Sequence, residues 1–137
     1  MLVGIGIDLV EHASLLEKDM EKLSLRLLSN RELDVYHKLC SSRKIEYLAS
    51  RFACKEAIFK AFKNGDKTAN YKDFSILNHE DGSPYVKCST KASYEYLITL
   101  SHTKNYSVAY VMIYKSWRSI FSPKSIMFNN PANPITE

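Results

Sequence analysis

The sequence predicts a single domain of the α+β class, in which an antiparallel sheet packs with helices. The chain opens with a run of strand period, residues 2–10, and continues with helical composition over residues 11–62. Strand patterns separated by short turns then fill most of residues 74–114. A chain of 137 residues is long enough to bury the core of one domain. Because the later strands follow one another with short connections, antiparallel pairing and the α+β class are favoured.

The first strand combines an apolar face with a face that carries two glycines and a carboxylate. Gly4 and Gly6 leave room for a backbone or a ligand to approach closely. Asp8 follows them on the same face, at the end of the strand, where binding sites are often built. Taken alone, Asp8 is equally well explained as the N-cap of the following segment. Every second residue contributes to the apolar face: Val3, Ile5 and Ile7.

Helical segments are expected between this strand and the later ones. Residues 11–28 have helical composition but only a weak apolar pattern. Ser29 then opens a capping box, which predicts the start of a second helix. Ser41 or Ser42 is expected to cap the longest helix, residues 43–62, which contains neither Gly nor Pro.

The longest helix carries a carboxylate in its apolar stripe. Glu56 falls near the centre of that stripe, one turn beyond Phe52 and one turn before Lys60. An ionised carboxylate that faces a core is costly unless it is paired, hydrogen-bonded or bound to a metal. One interpretation is an ion pair with Lys60 or Arg51. The other is a metal site, because Asp8 and Glu56 together suit a hard divalent ion shared with a phosphate-bearing substrate.

The remaining elements are predicted from turn signals and alternation. A hairpin is expected from strands near residues 74–77 and 84–86, with the turn at Gly82. A short helix is predicted over residues 91–96. Two more strands are predicted between residues 96 and 114, with His102 at the start of their connection.

The domain is predicted to span residues 1–116, and residues 117–137 to form a C-terminal tail that is partly ordered at most. Three of the four prolines lie in this tail, and regular apolar periodicity stops before it. Its apolar side chains nevertheless predict that its first part lies along the domain or along a neighbouring subunit.

The composition excludes several classes of protein. An apolar fraction of 45% and a charged fraction of 25% are typical of globular proteins, and no apolar segment is long enough to cross a membrane. The start of the chain lacks the features of a signal peptide. The three cysteines form no CxxC pair and the histidines have no zinc spacing, so we expect reduced thiols, no structural zinc and a cytoplasmic location.

The net charge of +4 is unevenly distributed. Residues 43–72 contain eight basic side chains against three acidic ones. Such a run is often only a solvated helix face. It also suits an anionic partner, such as nucleotide phosphates, an acidic protein or nucleic acid.

Two segments together resemble the 4′-phosphopantetheinyl transferase superfamily, in particular its small bacterial holo-(acyl-carrier-protein) synthases. The signature G-[IVL]-D-[IVL] is matched by Gly6-Ile7-Asp8-Leu9. The helical signature [WF]-[SCTA]-x-K-E-[AS]-x-x-K is matched by FACKEAIFK, residues 52–60, with Ala53 in the small-residue position. The resemblance covers about residues 1–114, without the tail, and implies the fold of this superfamily.

The resemblance implies a set of site residues. Asp8 and Glu56 would be the ligands of Mg²⁺. Glu56, directly or through a water, would take a proton from the acceptor serine, and Lys60 would neutralise the leaving phosphate. The residues implied to bind coenzyme A are Arg51, Phe52, Lys55, Lys60, Gly65, His102 and Thr103.

The implied reaction transfers 4′-phosphopantetheine from coenzyme A to a serine of apo-acyl carrier protein and releases 3′,5′-ADP, in support of fatty acid biosynthesis. The implied assembly is a homotrimer with its sites between subunits, and neither nucleic acid nor a membrane is an expected partner. The sequence departs from the family in having no Arg soon after the first strand. We therefore expect other cations to contact the acidic carrier protein: Lys18, Lys22, Arg26 or Arg31.

A binding module without catalytic activity is the alternative. A basic α+β domain could bind RNA or an acidic protein, with Tyr94, Tyr96, Tyr106 and Tyr110 available to stack on bases. Packing within the sheet is the commoner use of such tyrosines. Magnesium-dependent binding of coenzyme A would distinguish the enzyme from this module.

Overall fold

The computed structural model describes residues 1–62, 70–90 and 93–116. Gly65 and the tail therefore lie outside the described residues, and the predictions made for them are not addressed by the structure. The elements are, in chain order, β1 Leu2–Glu11, α1 His12–Leu16, α2 Met20–Leu27, α3 Asn30–His37, α4 Ser41–Ala61, a 3-10 helix Tyr71–Asp73, β2 Phe74–Asn78, β3 Pro84–Cys88, β4 Tyr94–His102 and β5 Tyr106–Lys115.

The described strands form antiparallel pairs, as the sequence predicts. One sheet has the order β1-β5-β4, and β2 pairs with β3 in a separate hairpin. The hairpin turn contains Gly82 with φ +90°, a conformation that favours glycine. Helix α4 packs along one face of the larger sheet. The predicted α+β class is therefore confirmed.

Strand β1 and helix α4 are in backbone contact. A Cβ atom on Gly4 would overlap the carbonyl oxygen of Ala61, and one on Gly6 would overlap that of Ala57. The expectation that these glycines admit a close backbone is confirmed. The contact also places Asp8, two residues after Gly6, beside the last turns of α4.

The opposite face of the larger sheet is apolar and exposed. Ile5, Ile7 and Leu9 are 55%, 58% and 61% exposed, and Leu97 on β4 is 58% exposed. Val3 was expected to share this face but packs against the core. A register irregularity between Leu2 and Gly4 interrupts the alternation there.

The capping box at Ser29 is present, with Glu32 as its second member. Other predicted boundaries shift. The segment 11–28 divides into α1 and α2, because Asp19 caps a new helix by accepting a hydrogen bond from the backbone N–H of Lys22. The N-cap of α4 is Cys40 rather than either predicted serine, and its side chain makes no capping hydrogen bond.

The predicted short helix over residues 91–96 is wrong for its described part. Tyr94 and Tyr96 belong to β4, where their rings pack edge-on against Phe62 and Phe74. Pairing with β5 therefore extends the strand over this segment. Within the described residues, no helix is both long enough and apolar enough to cross a membrane.

Candidate active site

Lys60 and Asp8 meet where the last turns of α4 pass over β1. Lys60 Nζ donates to Asp8 Oδ1 at 2.9 Å and to the carbonyl oxygen of Ile7 at 3.1 Å. The hydrogen bond to Asp8, followed by the charge of that carboxylate, raises the pKa of Lys60. The lysine side chain is 56% exposed and that of Asp8 18% exposed. The pair is thus accessible to a ligand from solvent.

Asp8 lies within β1 rather than at its end. The strand continues to Glu11, which is the N-cap of α1. Asp8 is paired in register with Ala109 on β5. The alternative of a helix cap is therefore wrong for Asp8. Its side chain is directed to the α4 side of the sheet, as Gly4 and Gly6 are.

Glu56 lies one helical turn before Lys60 and is half-buried. The hydroxyl of Tyr71, on the 3-10 helix, donates a hydrogen bond to Glu56 Oε1. Burial, this hydrogen bond and the charge of Glu56 raise the pKa of Tyr71 to about 12. Among the described residues, neither Lys60 nor Arg51 forms an ion pair with Glu56. The predicted ion-pair alternative is therefore wrong.

Lys55 is the charged residue that α4 buries in the core. Its side chain is 0% exposed, and Nζ donates to Glu32 Oε1 at 2.6 Å and to the carbonyl oxygen of Leu27 at 2.8 Å. Burial lowers the pKa of Lys55, and the charge of Glu32 opposes that shift. An ammonium enclosed in this way cannot also contact a substrate phosphate at the surface. The prediction that Lys55 binds coenzyme A is therefore corrected.

Arg51 and His102 line a second region, on another side of α4. A cavity of about 440 Å³ lies between α3, α4, the hairpin and the end of β4, and Arg43 also lines it. Arg51 is buried and donates to Asn78 Oδ1 at 2.8 Å and to the carbonyl oxygen of Ile76 at 3.2 Å. Its Nε is buried without a hydrogen-bond partner among the described residues.

Further contacts define the polarity of this cavity. His102 Nε2 lies 3.5 Å from Glu46 Oε1. The Arg51 guanidinium lies 3.9 Å from the centre of the Tyr47 ring, a cation–π distance. The two arginines make the cavity suitable for an anion, although the carboxylate of Glu46 also lines it, and the flat Tyr47 ring gives it an apolar wall.

The turn after His102 is held by contacts that the sequence did not reveal. Thr103 Oγ1 accepts from the backbone N–H groups of Asn105 and Tyr106, at 3.2 and 3.1 Å. His12 on α1 is buried, with Nδ1 3.0 Å from the carbonyl oxygen of Lys104 and Nε2 2.8 Å from the hydroxyl of Ser107. Because that carbonyl can only accept, Nδ1 carries the proton. No signal in the sequence linked His12 to a turn more than 90 residues away.

The predicted site residues therefore form two groups. Asp8, Glu56 and Lys60 lie where β1 meets α4, and the half-buried Phe52 ring extends this group by packing edge-on against Tyr71 at 6.1 Å. Arg51, His102 and Thr103 belong to the other group. Arg51 and Glu56 are five residues apart, so on a regular helix their side chains point about 140° away from each other.

The carboxylates of the first group fit a magnesium ion. In the part of the chain that the structure describes, no three His, Cys, Asp or Glu side chains converge. Mg²⁺ is usually bound by one or two carboxylates together with waters and substrate phosphates. Asp8 and Glu56 meet this requirement only with a phosphate-bearing substrate, and Lys60 lies ready to contact such a phosphate.

A carboxylate pair beside an exposed lysine suits an enzyme that acts on a phosphate-bearing substrate. Residues 4–111 match the family model of the 4′-phosphopantetheinyl transferase superfamily. Since the match covers most of the chain, this protein belongs to that superfamily, as the two sequence signatures implied.

Individual relatives agree with this assignment. The chain is 44% identical over 114 residues to a holo-[acyl-carrier-protein] synthase of Acholeplasma laidlawii, covering 82% of this chain and 97% of that protein. It is 35% identical over 116 residues to the enzyme of the same name from Bacillus subtilis, with 82% and 96% coverage. A crystal structure of the Bacillus anthracis holo-(acyl-carrier-protein) synthase in complex with CoA (3′,5′-ADP) superposes with a TM-score of 0.77. That enzyme is 37% identical, and the match covers 85% of this chain and 99% of that one.

Proposed function

We propose that this protein is a magnesium-dependent holo-(acyl-carrier-protein) synthase. It transfers 4′-phosphopantetheine from coenzyme A to a serine of apo-acyl carrier protein, releases 3′,5′-ADP and supports fatty acid biosynthesis. The observation that carries the proposal is the convergence of Asp8, Glu56 and Lys60 at the contact of β1 with α4, in a member of this superfamily. The three free cysteines agree with the cytoplasmic location that we propose for the reaction.

Asp8 and Glu56 would hold the magnesium ion. When bound, the ion would neutralise charge on the pyrophosphate of coenzyme A and orient it. Asp8 already attracts a cation, because Lys60 donates to its Oδ1 at 2.9 Å. Among the described residues, no hydrogen bond is made to the second oxygen of the half-buried Glu56, Oε2, which would be the atom that binds the ion.

Lys60 and Glu56 would act on the substrates directly. In transfer of a phosphoryl-type group, positioning and charge neutralisation provide most of the catalysis. The ammonium of Lys60 can exchange its contact with Asp8 for a leaving phosphate oxygen, since it is more than half exposed. Glu56 can accept the proton of the carrier-protein serine, directly or through one water.

The nucleotide end of coenzyme A would be bound by the second group. Arg51, His102 and Thr103 were predicted for this role. Arg51 and His102 line the cavity together with Arg43, and Thr103 directly follows His102 in the chain. Phe52 borders the carboxylate group through its contact with Tyr71. Lys55 has no part in this proposal, because its ammonium is enclosed by Glu32 and the carbonyl oxygen of Leu27.

We propose that the active assembly is a homotrimer whose sites lie between subunits. Two features support it. Ile5, Ile7 and Leu9 expose an apolar sheet face that a second copy of the chain would cover. The carboxylate group and the cationic cavity face different sides of α4, so neighbouring subunits could supply one half of a site each.

An acidic carrier protein would contact the cations of α2 and α3 and the segment before them. Lys18, Lys22, Arg26 and Arg31 are all exposed. They lie near exposed apolar side chains of the same helices, Leu25 and Val35. A cationic surface with apolar contacts suits an acidic helical partner and would act mainly on the association rate.

The RNA-binding alternative is not favoured. Two of the four tyrosines that it requires, Tyr94 and Tyr96, pack edge-on against Phe62 and Phe74 at 5.3 and 6.0 Å and are not available to stack on bases. Tyr106 is 43% exposed, but one ring does not make a stacking surface, and the similarity to holo-[acyl-carrier-protein] synthases favours the enzyme.

Transfer can be tested by incubating the protein with coenzyme A, Mg²⁺ and apo-acyl carrier protein, followed by mass spectrometry of the carrier protein. We expect one added phosphopantetheine, and its absence would contradict the function.

Asp8→Asn and Glu56→Gln should each lower turnover about 1000-fold, which corresponds to about 4 kcal/mol. Because both serve one ion, the double variant should lose little more than either single one. Glu80→Gln, in the exposed hairpin turn, is the matched control and should keep full turnover.

The assembly can be tested by complementation. Asp8→Asn damages one proposed half-site and Arg51→Gln the other. If sites form between subunits, co-expressed mixtures of the two inactive variants contain some intact sites and regain activity. A site contained within one chain would leave the mixture inactive. Light scattering that gives a fully active monomer would also exclude the trimer.

A further inference from the structure

Glu56 is held by a hydroxyl that neither family signature contains. The Tyr71 hydroxyl donates to Glu56 Oε1, and Tyr71 lies on the 3-10 helix, outside both signature segments. Lys60, one turn from Glu56, donates instead to Asp8 and to the carbonyl oxygen of Ile7. The two carboxylates therefore have different partners: a lysine for Asp8 and a tyrosine for Glu56.

The position of the Tyr71 ring is fixed on two sides by aromatic packing. Its centre lies 6.1 Å from that of Phe52 with the rings nearly perpendicular, and 5.2 Å from that of Phe59 with the rings tilted by 60°. Phe52, Glu56 and Phe59 are neighbours on one side of α4, since their spacings are four and three residues. The ring therefore docks on the same turns of the helix that present the carboxylate.

The backbone around Tyr71 is also constrained. Asn70 and Asp73 form a reciprocal cap of the 3-10 helix, with the Asn70 N–H donating to Asp73 Oδ2 at 2.8 Å. The Asp73 N–H donates to the carbonyl oxygen of Asn70 at 3.0 Å. The strand β2 follows directly and pairs with β3. The hydroxyl is thus presented from an anchored segment.

We propose that Tyr71 is a positioning residue that orients Glu56 for magnesium binding and proton transfer, an inference that rests on the proposed function. A carboxylate has two oxygens with about four acceptor positions. The tyrosine hydroxyl occupies one position on Oε1 and thereby directs Oε2 away from itself. A glutamate on a helix surface otherwise samples several rotamers, and a fixed orientation reduces the reorganisation needed when the ion binds. Partners of this kind typically contribute 10- to 100-fold in metal affinity or activity.

Tyr71→Phe is the informative substitution, because it removes the hydroxyl and keeps the ring that packs on Phe52 and Phe59. We expect magnesium affinity, titrated by calorimetry in the presence of coenzyme A, to fall about 10-fold. Turnover should fall by a similar factor, while KM for coenzyme A stays unchanged, because the substitution keeps the ring that packs on Phe52 and Tyr71 contacts neither Arg51 nor His102. Tyr85→Phe makes the same chemical change in the hairpin, where the ring stacks on His79, and should leave all three values as in the wild type.

The double variant with Glu56→Gln tests whether Tyr71 acts through Glu56. Tyr71→Phe should cause no further loss of turnover when Glu56 is already Gln. Wild-type magnesium affinity and turnover in Tyr71→Phe would overturn the inference, and so would a full additional loss in the double variant. If the wild type itself neither transfers phosphopantetheine nor binds magnesium with coenzyme A, the proposed function fails and this inference fails with it. An active wild type alongside an unaffected Tyr71→Phe would overturn the inference alone.

Discussion

Two of the lysines on helix α4, Lys55 and Lys60, are each paired with a carboxylate, but the two pairs have opposite surroundings. Lys55 and Glu32 are both 0% exposed and 2.6 Å apart. Lys60 and Asp8 are 2.9 Å apart, with the lysine side chain 56% exposed. Burial moves the pKa of Lys55 down, whereas the contact with Asp8 moves the pKa of Lys60 up.

The buried pair connects four elements. Glu32 on α3 caps its own helix at Ser29, accepts from the Ile76 N–H of β2 at 2.9 Å and receives Lys55 from α4. Lys55 also donates to the carbonyl oxygen at the end of α2, at Leu27. Each charged atom of this pair makes at least one hydrogen bond, and together these bonds join α2, α3 and α4 to the hairpin. Lys60 of the exposed pair makes hydrogen bonds only to Asp8 and to the carbonyl oxygen of Ile7 among the described residues, so a substrate can displace it from Asp8. Chemical identity alone therefore does not distinguish a structural lysine from a reactive one.

The largest effect on stability is expected from Lys55→Met. This substitution keeps the volume of the side chain but leaves the Glu32 charge buried without its cation. Removing one partner of a buried pair typically costs about 3–5 kcal/mol. Urea denaturation should show this loss in the free energy of unfolding.

Two controls separate the charge from the volume. Glu32→Gln combined with Lys55→Met removes both charges and should recover most of the loss. Lys22→Met, at an exposed position of α2, should change the free energy of unfolding by less than about 0.5 kcal/mol. If Lys55→Met is as mild as Lys22→Met, the buried pair has no structural importance.

Lys60→Met should show the reverse pattern. We expect turnover to fall about 100-fold, because the substitution removes the charge that is proposed to neutralise the leaving phosphate. Unfolding should be almost unchanged, since exposed pairs contribute little to stability. Turnover is measured with the mass-spectrometric transfer assay. A large loss of stability with wild-type turnover would reverse the assignment of the two lysines.

The smallest expected effect is a pair of opposite pH dependences. Because the pKa of Lys55 is lowered on folding, the unfolded chain binds more protons there, and stability rises with pH up to the ordinary lysine pKa of about 10.4. The pKa of Lys60 is raised, so its contribution is present below that value and is lost as the pH rises above it. The differences in unfolding free energy between the wild type and each Met variant, measured from about pH 8 to 11, should slope in opposite directions. Slopes of the same sign would show that the two environments do not differ as described.

Local patterns in the sequence predicted part of this arrangement. The capping box at Ser29 depends on residues three apart and was therefore readable in the sequence. The two family signatures, one on β1 and one on α4, pointed to Asp8, Glu56 and Lys60, and the structure brings these three residues to one place. The burial of Lys55 was not predictable in this way. Its partner Glu32 lies 23 residues earlier, and only the packing of α3 on α4 brings the two together.

Glu56 was predicted to face the core, and it is half-buried instead. Alternation and helical period report which side chains share a face, but they do not report how far a neighbouring element covers that face. For the same reason no pattern pointed to Tyr71, whose hydroxyl reaches Glu56 across the gap between a 3-10 helix and α4. The prediction of a helix near Tyr94 failed because long-range pairing with β5 outweighed local preference.

The contact of Gly4 and Gly6 with α4 has a consequence for how this protein can change over evolutionary time. At that contact the separation of strand and helix, and with it the reach from Lys60 to Asp8, is set by main-chain atoms alone. Substitutions of the surrounding core residues can change side-chain volumes and rotamers without changing the distance between β1 and α4 at this contact. A single codon change that adds a methyl group at Gly6 would lift β1 from α4 two residues before Asp8. The geometry of the site should therefore tolerate conservative changes in the core better than a methyl group added at Gly4 or Gly6.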